Sequence, residues 1–319
     1  MSRKTLFVLL LLFTFCAEQL PPDYTGPKRE VVIKPKMSVT DIGNTLKEKG
    51  IINSVLLFRV IAWFYNYDHR IKPGRYRFVP NSDPQLVLKM LTREIPAFLF
   101  VTIPEGATKE QIALILDENG ICQQDSFFAA GSDTGLLRSL DIPFASAEGY
   151  LFPETYEFQT ASDPKTIICR LVRQFHSTYE TVKGKSRTTL TEPEVVILAS
   201  IVEKEAQLPE EFPVIAGVFL NRLRRHIPLQ SCATVQYILP EHKERLSLDD
   251  LKTPSPYNTY LHPGLPPAPI CNPGRTALRA VLFPAQHDYL FFVAKGDGSH
   301  IFSKTPQEHA SAMNRIHHR

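Results

Sequence analysis

The strongest restriction on the fold is a stretch between residues 253 and 274 that contains seven prolines. Proline lacks a backbone N–H and clashes with the preceding helical turn, so this stretch cannot be a helix or a central strand. Apolar and aromatic residues run through the same stretch, namely Tyr257, Tyr260, Leu261, Leu265 and Ile270. We therefore predict a long, ordered loop, and such loops in compact domains are usually functional.

An apolar run of 13 residues, 5–17, directly follows two basic residues at the N-terminus. A membrane span needs about 20 apolar residues, so this run favours a signal-peptide core, with a short uncleaved anchor as the alternative. Bulky residues before Cys16 match a lipoprotein cleavage site poorly, and the basic residues argue against a buried helix. We expect residues 1–19 to be a hydrophobic anchor or signal segment, followed by a proline-rich linker at 20–30.

Composition indicates a globular protein of ordinary type. The chain has 319 residues, of which 43% are hydrophobic and 22% charged. Its length predicts two compact units, with three as the alternative. A net charge of +3 without a dense basic run or a recognisable motif excludes nucleic acid as a partner.

Four of the five cysteines lie outside the N-terminal segment: Cys122, Cys169, Cys232 and Cys271. An even number in an exported chain permits disulfides, and buried free thiols are the alternative. There is no CxxC spacing, so a zinc site has no support.

Two segments repeat one pattern of a short strand, a helix and a glycine. The first leads from Val32 to Ile51, the second from Val101 to Ile121, and their apolar positions coincide when counted back from the glycine. Each is predicted as a small α/β piece with a glycine at the helix end. The first is followed by a further helix and a strand, and this β-α-α-β order resembles that of a LysM-type carbohydrate-binding module, which we assign to residues 31–100.

The remaining elements follow from periodicity and capping signals. Helices are predicted at 127–140, 163–182, 192–207 and 210–225. A strand at 288–295, a glycine-rich turn and a returning strand at 300–304 make a hairpin, and a capping box at Thr305 opens a last helix. The predicted class is α+β.

Glu205 stands out because it ends an apolar helical stretch. On a helix it shares a face with Leu198, Ile201 and Val202, whereas Glu203 points to another side. Apolar surroundings raise the pKa of a carboxyl, which is how a glutamate becomes a general acid near neutral pH. The alternatives are that Glu205 caps the helix or pairs with Arg222.

Several segments together resemble the endolytic murein transglycosylase family (MltG, YceG-like). They are Glu148–Tyr156 (EGYLFPETY), Ala199–Glu205 (ASIVEKE), Val218–Leu223 (VFLNRL), Leu229–Gln230, Thr234–Tyr237 (TVQY), Ser255–Tyr260 (SPYNTY), Gly264–Pro267 (GLPP) and Asn272–Gly274 (NPG). The likeness covers nearly the whole chain after the linker. It implies a LysM-like β-α-α-β module followed by a mixed α/β lytic transglycosylase domain at 101–319.

The resemblance also implies an activity. Members of this family cut peptidoglycan glycan strands internally, between MurNAc and GlcNAc, leave 1,6-anhydro-MurNAc ends and need no metal or cofactor. The catalytic glutamate is the second one of the Glu-Lys-Glu triplet, here Glu205. The resemblance further implies a single N-terminal anchor in the cell (inner) membrane, a catalytic domain on the extracytoplasmic side, termination of nascent strands, and cell-wall synthases as partners.

Six further residues are candidates for substrate binding: Glu154, Gln230, Thr234, Tyr257, Asn258 and Tyr260. Their alternative roles are core packing and turn formation. Two rival functions stay open at this point. One is a non-catalytic peptidoglycan-binding protein, and the other is a hydrolytic muramidase that uses Glu154 together with Glu205 and water.

One segment departs from the family pattern. The family usually has Ser/Thr-Asp-Pro-Thr where this chain has Ser231-Cys232-Ala233-Thr234. A thiol thus replaces an acid near the predicted site, which puts either the need for that acid or the activity of this chain in doubt. A disulfide between Cys232 and Cys271 is a further hypothesis.

Overall fold

The computed structural model describes residues 28–34, 36–92, 98–186 and 188–317. The chain divides into two compact units: one runs to Phe100 and includes 157–161, and the other comprises 101–156 and 162–319. The predicted N-terminal segment at 1–19 lies outside the described residues. Within the described ranges, every helix is too short or too polar to cross a membrane.

The first unit opens with the predicted order of strand, helix, helix and strand. These are β1 (Arg29–Ile33), α1 (Val39–Glu48), α2 (Val55–Phe64) and β2 (Gly74–Phe78), followed by α3 (Pro84–Leu91). Strands β1 and β2 pair antiparallel, with Val31 opposite Tyr76. Both side chains are buried, as are Leu46, Phe58 and Leu88 of the three helices. Alternation along the strands thus places one face of the sheet on the helices.

The repeated strand-helix-glycine pattern is confirmed. Gly50 and Gly120 both have positive φ, +59° and +66°. In each copy the residue after the glycine, Ile51 or Ile121, donates its N–H to a carbonyl five residues back, at 2.8 Å. This is the Schellman ending, which needs a glycine in the left-handed region and buries the next apolar side chain.

The second unit is mainly helical. Its elements, together with the strands β3 and β4 that belong partly to each unit, are β3 (Phe98–Thr102), α4 (Lys109–Glu118), α5 (Gln124–Ala130), α6 (Thr134–Ser139), β4 (Thr155–Gln159), α7 (Pro164–Lys183), α8 (Glu192–Glu205), α9 (Phe212–Arg224), α10 (Cys232–Ile238), α11 (Arg275–Leu282), β5 (Phe291–Ala294), β6 (His300–Ser303) and α12 (Pro306–His317). Strands β1 to β4 lie in that order in one sheet, and β5 and β6 form the predicted hairpin.

The predicted single helix at 127–140 is wrong, because two short helices occupy this segment. Helix α5 ends before Gly131, and Asp133 starts α6 by accepting a hydrogen bond from the N–H of Leu136 at 3.0 Å. A side-chain cap of this kind satisfies a free N–H of a first turn, so it begins a new helix rather than continuing the old one.

Helix α8 forms the centre of the second unit. It packs against α9, α10 and α11, and all residues from 195 to 202 are buried. A helix that is apolar all round is a core element. Its C-terminal end therefore emerges from the core at a fixed position, and Glu205 is its last residue.

The proline-rich loop is ordered and irregular, as predicted, and a short 3-10 turn at Asp250–Lys252 precedes it. Asn272 fixes its far end: its Oδ1 accepts hydrogen bonds from the N–H groups of Gly149 and Leu151, each at 2.8 Å. Its Nδ2 donates to Glu148 Oε1 at 2.6 Å and to the carbonyl of Ala107 at 2.9 Å. One buried amide thus joins the aromatic loop at 148–156, the start of α4 and the proline-rich loop.

Candidate active site

A cleft of about 1410 Å³ opens in the second unit. Its walls come from the start of α4, the end of α8, helix α10, the segment at 242–246 and the proline-rich loop. The lining residues used below are Glu110, Glu205, Cys232, Tyr237, Glu244 and Tyr257. The predicted functional loop and the predicted acid therefore meet at one concave surface.

Glu205 lies in this cleft, partly buried at the end of α8. The residues that share its helix face, Leu198, Ile201 and Val202, are fully buried, as the sequence pattern predicted. The hydroxyl of Ser231 donates a short hydrogen bond to Glu205 Oε1. The backbone N–H of Ala233 donates a second hydrogen bond to the same carboxyl.

Opposing effects act on the pKa of Glu205. Burial raises the pKa above its ordinary value, and this effect is the largest. The hydrogen bonds from Ser231 and Ala233 and the positive charges of His300 and Arg222 oppose it, since each stabilises the carboxylate. The site thus favours a protonated acid at rest and supports the carboxylate once the proton has left.

Arg222 is a buried cation that bonds to backbone carbonyls near the site and does not line the cleft. Its guanidinium donates to three backbone carbonyls, those of Leu290 at 2.6 Å, Leu229 at 2.8 Å and Pro228 at 3.2 Å. These bonds tie α9 to the start of β5 and to the turn before Ser231. Arg222 therefore positions the loop that carries Ser231, and its charge also favours the carboxylate form of Glu205.

His300 on β6 pairs with Glu211, and both side chains are largely buried. Its Nδ1 lies 2.6 Å from Glu211 Oε2, and its backbone N–H donates to Glu211 Oε1 at 3.0 Å. This pair anchors the C-terminal hairpin to the residue before α9.

Glu203, two residues before Glu205, points elsewhere, as predicted. Its Oε2 accepts a hydrogen bond from the N–H of Gly274 at 2.9 Å, where α11 begins. Burial raises the pKa of Glu203 to about 7. The two carboxyls of the triplet thus belong to different surroundings, and Glu205 is the one that lines the cleft.

Aromatic side chains form part of the cleft wall. Tyr257, a predicted binding residue, pairs with Tyr237 of α10 with ring centroids 5.2 Å apart. Tyr260, another predicted residue, does not line the cleft itself, but its hydroxyl lies 3.1 Å from the Sγ of Cys232, which does. Tyrosine rings offer flat apolar faces with a polar edge, a suitable surface for a sugar ring.

Two other predicted binding residues, Thr234 and Asn258, are completely buried. Asn258 donates to the carbonyls of Leu251 and Thr253 and accepts from the N–H of Tyr260. Thr234 donates to the carbonyl of Ser231 at 2.7 Å. Both hold the loops in shape from behind the cleft, so the structure gives them a supporting position and brings neither to the cleft surface.

Gln230 and Glu154 do not line the cleft. Gln230 is exposed in a left-handed conformation, with φ of +49°, and its side-chain oxygen lies 3.4 Å from Arg222 Nη1. Glu154 is exposed, and its backbone carbonyl accepts a hydrogen bond from the N–H of Ile103 at 2.9 Å. Neither residue is brought to the carboxyl of Glu205.

The hypothesis of a Cys232–Cys271 disulfide is wrong in this structure, where both thiols are free. Cys271 is buried and donates to the carbonyl of Ser200 at 3.2 Å, whereas Cys232 faces the cleft beside Tyr260. Each thiol thus has a separate partner.

Sequence reasoning missed Ser231 and Tyr237 as site residues. Ser231 lies in the segment that departs from the family pattern, and Tyr237 lies in a segment that matches it. An acid that ends a buried helix needs a hydrogen-bond donor, and a serine directly before a short helix is a suitable one, so this signal was present in the sequence.

A partly buried carboxyl that accepts hydrogen bonds, set in an open cleft with aromatic walls, defines a general-acid site. The YceG-like family profile matches residues 31–315, and the chain belongs to this family. It is 33% identical over 298 residues to the endolytic murein transglycosylase of Bacillus subtilis, a match that covers 87% of this chain and 82% of that protein.

Two further comparisons agree. The chain is 31% identical over 325 residues to the endolytic murein transglycosylase of Streptococcus pneumoniae strain D39, covering 91% of this chain and 58% of that protein. It also resembles the crystal structure of a putative YceG-like protein from Listeria monocytogenes, with a TM-score of 0.66 and 30% identity over 89% of this chain and 98% of that one.

Proposed function

We propose that this protein is an endolytic peptidoglycan transglycosylase, a lyase that cuts glycan strands internally between MurNAc and GlcNAc. The observation that carries the proposal is the placement of Glu205, an acid held at the end of a core helix where it faces an open cleft. Membership of the YceG-like family and the names of the relatives support the same reaction.

A single carboxyl is sufficient for this chemistry. Protonated Glu205 gives its proton to the glycosidic oxygen as the bond from that oxygen to C1 of the muramyl residue breaks. The 6-hydroxyl of the same sugar then bonds to C1, and the Glu205 carboxylate takes its proton. The product carries a 1,6-anhydro end, water takes no part, and Glu205 returns to its protonated form.

The surroundings of Glu205 suit both halves of this cycle. Burial raises the pKa of Glu205 and so favours the protonated acid before the reaction, and the donors Ser231 and Ala233 stabilise the carboxylate after it. The adjacent rings of Tyr237 and Tyr257 supply apolar surface for sugar faces in the same cleft.

A hydrolytic muramidase is less well supported. Such an enzyme needs a second carboxylate at a defined distance across the scissile bond. Glu154, the predicted partner, does not line the cleft; the other carboxyls in its lining are Glu110 and Glu244. A non-catalytic binding protein is also disfavoured, since the acid and its hydrogen-bond donor are both in place despite Cys232.

The first unit is proposed as a LysM-like module that binds glycan. Its β-α-α-β order and antiparallel β1–β2 pair support this assignment. We further propose that the apolar segment at 1–19 attaches the protein to the cell membrane with both units on the extracytoplasmic side, where it terminates nascent strands beside cell-wall synthases.

The test is mass spectrometry of purified glycan strands digested by wild type, Glu205→Gln and Glu203→Gln. Wild type should give internal fragments whose anhydro ends are one water lighter than reducing ends. Glu205→Gln should cut glycan strands about 10²- to 10⁴-fold more slowly or worse, because a general acid contributes that much to the rate. Glu203→Gln changes a carboxyl on the same helix outside the cleft and should stay active.

Two results would change the assignment. Reducing ends from wild type would show hydrolysis and direct attention to Glu110 and Glu244. Strands that bind to wild type and stay intact would favour a non-catalytic binding protein. Thermal melting of each variant separates loss of chemistry from loss of fold.

A further inference from the structure

Helix α2 of the first unit carries exposed apolar side chains. Leu56 and Trp63 on this helix are 69% and 58% exposed, and Phe64 and Tyr65 at its end are 40% and 46% exposed. We define the α2 patch as Leu56, Arg59, Val60 and Trp63, which line one groove. Contiguous exposed apolar surface on a protein usually marks an interaction site.

The patch is a regular stripe. Leu56, Val60 and Trp63 are spaced four and three residues apart, so they lie on one side of the helix. The opposite side is anchored, because Phe58 and Ala62 are buried. With Arg59, the stripe borders a shallow groove of about 400 Å³. The helix is therefore held rigidly by one face while it presents the other.

The chemistry of the patch matches the boundary between lipid headgroups and acyl chains. Tryptophan and tyrosine are enriched at that depth because their rings are apolar with one polar edge. Aliphatic side chains beside them enter the acyl region, and an arginine in the stripe pairs with anionic headgroups. In the α2 patch, Leu56 and Val60 supply the aliphatic side chains, Trp63 the aromatic ring and Arg59 the positive charge of such a contact.

The distance to the membrane also fits. The predicted apolar run ends at residue 17, eleven residues before Lys28, where the described residues begin. Eleven residues of extended chain span at most about 40 Å, so a retained segment would keep the first unit next to the bilayer. This step rests on the membrane attachment proposed above.

We propose that the α2 patch docks onto the membrane surface. Docking adds a second contact to the N-terminal segment and gives the first unit a fixed orientation on the bilayer. One apolar segment and one interfacial helix together anchor a protein more firmly than either alone.

Trp63 makes the test direct, since it is the only tryptophan in the chain. The full-length protein is reconstituted into vesicles that contain anionic lipid, with and without brominated acyl chains, and tryptophan emission is recorded. Docking predicts a blue shift in vesicles and strong quenching by brominated lipid, because bromine quenches only at close contact. Leu56→Asp should abolish both effects.

Leu86→Asp is the matched control, since Leu86 is an exposed leucine of α3 in the same unit and does not line the α2 groove. Brominated lipid should quench the Trp63 emission of this variant as strongly as that of wild type. The proposal would be overturned if brominated lipid did not quench the emission of Trp63 while an aqueous quencher still did. So would a shift caused by soluble glycan strands and not by lipid, which would make the patch a glycan site.

Cleavage of soluble strands is measured on the same preparations. Leu56→Asp should cut them at the wild-type rate, because α2 supplies no residue to the cleft. Loss of quenching with retained cleavage supports docking independently of the catalytic assignment. Absence of cleavage in wild type would refute the proposed activity and leave the docking result standing.

Discussion

The hydroxyl of Ser231 donates a hydrogen bond to Oε1 of Glu205, a residue 26 positions earlier in the chain. The backbone N–H of Ser231 in turn donates to the hydroxyl oxygen of Thr259 at 3.0 Å. The acid is thus connected through one serine to the proline-rich loop.

Replacement of Ser231 by alanine should change the pH dependence of cleavage. The hydrogen bond lowers the pKa of Glu205, so its loss raises that pKa. Activity requires protonated Glu205 and falls as pH rises through this pKa, so the alkaline limb of the rate profile should move to higher pH. The maximal rate should drop about 10- to 100-fold, the value of a hydrogen bond to a charged group.

Ser200→Ala is the control for this prediction. Ser200 is a buried serine of α8, the helix that ends at Glu205. Its hydroxyl accepts a hydrogen bond from the N–H of Ile270 and does not contact Glu205. Its removal should cost stability and leave the alkaline limb in place. An unshifted limb in Ser231→Ala would mean that Ser231 only supports the loop.

Alkylation of Cys232 should block the cleft. It is the exposed thiol among the four described cysteines and lines the cleft with Glu205. Burial of the sulfur raises its thiol pKa, so the reaction with iodoacetamide should accelerate as pH rises. Peptide mapping should find Cys232 modified first, in step with loss of cleavage. Iodoacetamide should leave the cleavage rate of Cys232→Ser unchanged, because the reactive thiol is absent. Cys169→Ser, which retains Cys232, should lose cleavage as wild type does.

The position of Glu205 could be predicted from the sequence because it depends on local geometry. An apolar run of helical period fixes which side is buried, and the last residue of that run leaves the core at a known angle. The glycine endings at Gly50 and Gly120 were predictable for the same reason: one residue type and one backbone conformation determine each other.

The binding residues could not be assigned in this way because they lie in loops. Asn258 and Thr234 stand next to cleft residues in sequence, yet their side chains point inward and bond to backbone. In an irregular loop the side-chain direction follows from hydrogen bonds to distant segments, such as Thr259 for Ser231. No period in the sequence records those contacts.

Glu148 should make stability depend on pH. Burial is the main reason that its pKa rises from 4.5 to about 8, although the N–H of Lys109 and the amide of Asn272 favour the charged form. A carboxyl with a raised folded pKa stabilises the fold fully below its unfolded pKa, and this contribution is lost as pH rises from about 4.5 to about 8. Over that window the loss should reach about 5 kcal/mol.

Thermal melting of wild type and Glu148→Gln across this pH window measures the effect. Glutamine resembles the protonated acid and cannot ionise, so the variant's melting temperature should fall less with pH. Part of the slope should remain because Glu203 also has a raised pKa, of about 7. Parallel curves for the two proteins would rule out Glu148 as the source.

Gly149→Ala should destabilise the fold by separating the aromatic loop from the proline-rich loop. Gly149 has φ of +89°, and a Cβ there would lie 2.4 Å from Cγ of Pro269 and 2.9 Å from Cγ1 of Val196. Left-handed backbone and overpacking together predict a loss of about 2–4 kcal/mol. Gly264→Ala is the matched control, since Gly264 has φ of +90° and a Cβ there would meet nothing within 4 Å.

Gly264→Ala should therefore cost only the backbone strain, about 1 kcal/mol. Urea unfolding of both variants gives the two free energies, and their difference measures the contact between the loops. Because Asn272 bonds to the N–H of Gly149, a displaced loop should also disturb the cleft, so Gly149→Ala should cut glycan more slowly than Gly264→Ala. Equal losses in stability and rate would show that Pro269 yields and that the loops adjust independently.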